Sequence, residues 1–171
     1  MFGLGKKRAV DDETFMYYSR LIDEGASEDQ RKKLTTGTQF VMSQNVLCHT
    51  IVRNSSSPGV QVLDDYQFKF VLCLIAKGII EKMNEQIKVK EELIFAARIF
   101  PIADNYKKGA NHFSFTAEEA VQVLNQVDQL SSEPWAKELI KHGEYSLEVF
   151  SSGSENMLPV AEIFDNSKLM Q

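Results

Sequence analysis

One segment of this chain is apolar on every side, while the rest alternates between apolar and polar with the period of a helix. From Phe70 the sequence runs Phe-Val-Leu-Cys-Leu-Ile-Ala to Ala76 without a polar residue. A helix that is hydrophobic all round must be buried all round. Ile79, Ile80 and Met83 extend the pattern, and Asp64 or Asp65 supplies a cap. This predicts a central buried helix over about 64–83. Gly78 inside it permits close packing of another helix.

The flanking segments read as amphipathic helices. Phe15, Tyr18, Leu21 and Ile22 fall at helical spacing over about 12–22, with Gly25 placed as a C-cap. Ser27 and Gln30 form a capping box that opens a second helix. That helix carries Leu34, Phe40, Val41, Leu47, Cys48, Ile51 and Val52, and Thr35-Thr36-Gly37-Thr38 predicts a kink or break in its middle. Asn54 to Gly59 reads as a loop. The polar stretch Asn84–Lys90 either continues the central helix or turns it into a hairpin. A further helix over about 90–100 should end or kink at Pro101.

Residues 101–115 read as a long connection. Thr116 with Glu119 makes a second capping box, opening a helix through Leu130. Pro134 and Trp135 start another, which Gly143 should end. Residues from about Pro159 predict one more amphipathic helix. The fold expected is therefore all-α: a single-domain irregular bundle of six to eight helices, residues 11–171, behind a flexible basic leader, residues 1–10.

Charge changes the picture in one region. The net charge of −5 is uneven, because residues 111–171 carry ten acidic and three basic side chains. Such a surface repels nucleic acid and attracts basic partners. No apolar stretch is long enough to span a membrane, since Lys69 and Lys77 interrupt the richest one. No signal peptide is predicted, and Cys48 and Cys73 both sit in apolar helical patterns. They read as reduced core thiols in a cytoplasmic protein.

Catalytic patterns are sparse. His49, His112 and His142 belong to no metal-binding spacing of the Glu-x-x-His type, and no metal or other cofactor is expected. Glu138 and His142, one turn apart, read as a polar pair near a helix end. Cys48 and His49 are adjacent, so they point about 100° apart on a helix and cannot pair. No nucleophile elbow and no phosphate loop appear.

Two candidate surfaces remain. The first is acidic: Glu118, Glu119, Glu138 and Glu148 would receive a basic protein partner. The second lies in the 104–115 loop, where Tyr106, Lys107, Lys108 and His112 would line an anion-binding pocket, with His112 as its acid–base group. The first makes the chain a non-enzymatic interaction module, with a homodimer as one form it can take. The second makes it an enzyme or small-ligand binder, and the balance of the sequence leans away from an enzyme.

Overall fold

The computed structural model describes residues 13–54, 65–103 and 116–151, and among them the fold is all-α. Six helices follow one another: α1 (Glu13–Gly25), α2 (Glu28–Asn54), α3 (Asp65–Ile87), α4 (Glu91–Ala103), α5 (Ala117–Leu130) and α6 (Pro134–Ser151). Of the connection expected at 101–115, residues 101–103 are instead the last turn of α4, and its remainder falls outside the described residues, as do the leader, the helix expected after Pro159 and, past Asn54, the loop expected at 54–59. Among the described residues, no helix is long and apolar enough to cross a membrane.

The centre is α3. Every residue from Phe70 to Ala76 is buried, as are Ile79 and Ile80. The all-round apolar run has the consequence expected of it, because α2, α4, α5 and α6 all pack on α3. Leu34, Phe40 and Val41 come from α2, and Ile94, Ala97, Ile99 and Ile102 from α4. From α5 come Ala120, Val123, Leu124 and Val127, and from α6 Trp135, Ala136 and Leu139. Cys73 is buried within this core and forms no disulfide, whereas the side chain of Cys48 lies outside the described set.

Two glycines set the α3–α6 crossing. A Cβ on Gly78 would collide with the Ile140 carbonyl, and one on Gly143 would collide with the Ile75 carbonyl. Each helix thus presents a glycine to the backbone of the other. From there α6 runs alongside α3 to a bridge between Lys82 and Glu148 (3.3 Å).

Three expectations about helix ends are corrected. Gly143 does not end its helix: α6 continues to Ser151, because the glycine is there for the α3 backbone and not for a cap. Gly37 does not break α2, and the Met83 side chain lies in the place its Cβ would take. Pro101 does not end α4 either. It sits inside the last turn, where few ladder bonds remain to be lost and where Pro101 and Ile102 are both buried.

The helix starts follow the sequence closely. The Thr116 N–H donates to Glu119 Oε2 (2.8 Å), and the Glu119 N–H donates to Thr116 Oγ1 (3.1 Å). The Ser27 N–H donates to Gln30 Oε1 (2.9 Å), and the Gln30 N–H donates to Ser27 Oγ (3.3 Å). Gln30 has a second task. Its Nε2 donates to the Ile87 carbonyl (3.2 Å), closing an orphan acceptor at the α3 C-terminus. The polar stretch after Met83 adds one more turn of α3, then reverses at Lys88, whose φ is 56°. Asn84 stabilises that reversal by accepting from Val89 N (2.9 Å) and donating to Val89 O (3.2 Å).

Candidate functional site

Three helices leave a cleft of about 410 Å³ between them. α2 contributes Arg31, Leu34, Thr35, Thr38, Gln39 and Met42, which recur every three or four residues and so form one stripe of the helix. α1 contributes Ser19, Ile22 and Asp23, and α4 contributes Ala97 and Phe100. The cleft exists because α1 packs on α4 and α5 and has few contacts with α2. Ile22, Leu34, Met42, Ala97 and Phe100 make an apolar floor. Hydroxyl and amide side chains surround it, with one charge of each sign.

Those two charges also fasten the mouth. Arg31 Nη1 donates to the Asp23 carbonyl (3.1 Å) and lies 3.8 Å from the Asp23 carboxylate. Asp23 is in the last turn of α1, where an unsatisfied carbonyl and the negative end of the helix dipole both favour a cation. By local pattern alone, Thr35, Thr36 and Thr38 are only weak helix formers. The available signal was the spacing of Thr35 and Thr38 from Arg31 and Met42, which places a polar stripe beside the core stripe of the same helix.

A second polar cluster joins α3, α4 and α5. Arg98, only 3% exposed, directs Nη1 at both oxygens of Asp128 (3.0 and 3.2 Å). Lys77 Nζ reaches the same carboxylate (2.9 Å) and also Glu81 (2.7 Å). Arg98 Nε and Nη2 are buried without a hydrogen-bond partner and have almost no accessible surface. No ligand can reach them in this arrangement, so the cluster reads as a fastening between three helices.

His142 is buried at 5% exposure, and its Nδ1 has no partner. Burial pushes its pKa below the ordinary 6.5. Glu138, one turn earlier, faces solvent, so the two are not gathered to chelate a metal. Among the described residues, no group of three or more His, Cys, Asp or Glu side chains could hold one.

The acidic candidates have different tasks. Glu118 and Glu138 are exposed. Glu119 is also exposed, and its carboxylate is engaged in the α5 cap. Glu148 bridges to Lys82, which also meets Glu85 (2.9 Å). Both carboxylates favour the charged amine and raise its pKa above the usual 10.5. With Asp128 held by Arg98, part of the acidic excess of the C-terminal third has a structural explanation. Tyr106, Lys107, Lys108 and His112 lie outside the described residues. No protein-family model, no curated protein and no solved structure matches this chain.

Proposed function

We propose that this chain is a non-enzymatic helical interaction module that receives an apolar-anchored segment of another protein in the α1–α2–α4 cleft. The observation that carries the reading is the cleft itself: about 410 Å³ between three helices, with an apolar floor ringed by hydroxyl, amide and charged groups. Binding sites are concave and mostly apolar, with few polar groups that fix orientation. Helix-groove recognition uses apolar side chains as anchors in such a depression. The acidic residues at 111–171 would favour a basic partner by steering its approach. A cytoplasmic setting goes with this reading, and the buried Cys73, which forms no disulfide, is compatible with it.

The test is to fill the cleft. Thr38→Trp places an indole over the floor, and Thr36→Trp places one on the exposed side of the same helix turn. Proteins retained by wild type and Thr36→Trp but lost by Thr38→Trp would support the reading. Equal retention by all three, with unchanged thermal stability, would overturn it.

A further inference from the structure

We propose that α1 is a displaceable strap, which leaves the body at the Ala26–Ser27 joint and so widens the cleft into a longer groove. This rests on the reading of the cleft as a docking site, and it concerns how that site is opened. Every other helix sends fully buried residues into the core, and α1 sends none. Its apolar side chains Phe15, Tyr18 and Ile22 are only partly buried and lie against the outside of the core. Phe15 meets Phe100 edge to face (centroids 5.0 Å apart, planes at 87°), and Tyr18 meets Phe95 at 6.0 Å. Phe100 also lines the cleft, so Phe15 and an occupant bear on the same ring.

The joint is suited to this movement. The N-terminus of α2 is closed by its own Ser27–Gln30 box, and Gln30 is tied to Ile87 of α3. Neither contact involves α1, so α2 keeps its start and its anchorage when α1 departs; the polar tie that departure must break is Arg31 to Asp23, whose side chains are both exposed and exchange it for water. Departure would uncover Phe95, Phe100 and Leu93, which now packs over Gly25. A 13-residue helix is marginal on its own, and elements with few buried apolar contacts open below the global unfolding limit.

Hydrogen exchange on the full chain tests this without any partner. The α1 amides should exchange at least ~100-fold faster than those of the Leu72–Ile80 stretch of α3. Equal exchange of the two across a denaturant series would overturn the proposal, because α1 would then leave only on global unfolding. Phe15→Ala should raise α1 exchange further, leave α3 exchange unchanged, and increase 8-anilinonaphthalene-1-sulfonate fluorescence several-fold. If α3 loses protection by the same factor as α1, or if the dye signal stays at the wild-type level, the proposal falls. Failure of the docking reading would appear instead as partners retained by Thr38→Trp, an outcome independent of the exchange pattern.

Discussion

Asp128 is the residue on which the α3–α4–α5 junction depends most. It is about one-third exposed, yet it neutralises Arg98 at 3% exposure and Lys77 at 15%. Removing one partner of a buried pair leaves the other charge uncompensated, typically at about 3–5 kcal/mol. Asp128→Ala should therefore destabilise the fold by about 3 kcal/mol or more in urea unfolding. Arg98→Met should cost clearly less, because Asp128 keeps Lys77 and its own access to water. A second residue-scale prediction concerns acid. The pKa of His142 is lowered in the folded state, so below about pH 6.5 the unfolded chain binds a proton that the folded chain refuses. Stability is complete above that pH and falls as pH drops through it, by up to about 1.4 kcal/mol per unit. Melting temperatures from pH 7.5 to 5.5 should decline, and the decline should shrink in His142→Gln.

Among the helices, the α3–α6 pair is the most exacting. Alanine normally stabilises a helix relative to glycine by about 1 kcal/mol. At Gly78 and Gly143 the added methyl meets a backbone carbonyl, which cannot swing aside as a side chain can. Gly78→Ala and Gly143→Ala should each destabilise by about 1–3 kcal/mol or more, the range of overpacked cores. At Gly37 the obstructing atoms are the flexible end of Met83, so Gly37→Ala should cost less than either. Denaturant midpoints of the three variants give the ranking directly, and an equal loss at all three would contradict the backbone-contact explanation.

For the molecule as a whole, charge is the property that packing accounts for least. Asp128, Glu119 and Glu148 have structural tasks, whereas Glu118 and Glu138 are exposed on α5 and α6. A variant with both changed to Gln should keep its stability within about 0.5 kcal/mol, as surface substitutions do. If the acidic third steers a basic partner, that variant should associate more slowly, and the difference should shrink at high salt, where the screening length falls to about 3 Å at 1 M. Equal association rates at low salt would show the charge to be a solvated surface only.

The run from Phe70 to Ala76, the two capping boxes and the proline at the first position of α6 were legible in the sequence, because each depends on neighbours a few residues away. Local spacing settles which face is apolar and which side chain closes a helix end. It does not settle which helix lies against a given turn. Gly37, Gly143 and Pro101 read as helix breakers on local grounds, yet each sits within a helix; Pro101 is tolerated by its place in the last turn, whereas the two glycines face partners elsewhere in the chain. For Gly143 the reason is the Ile75 carbonyl, 68 positions away. The cleft shows the same division: the stripe from Arg31 to Met42 is a property of α2, but it lines a cleft only because α1 packs on α4 and meets α2 mainly at Arg31. Sequence therefore determined the elements and the buried helix. The tertiary structure decided the crossings, the burial of Arg98 and His142, and the cleft, because those depend on contacts between residues that no local pattern brings together.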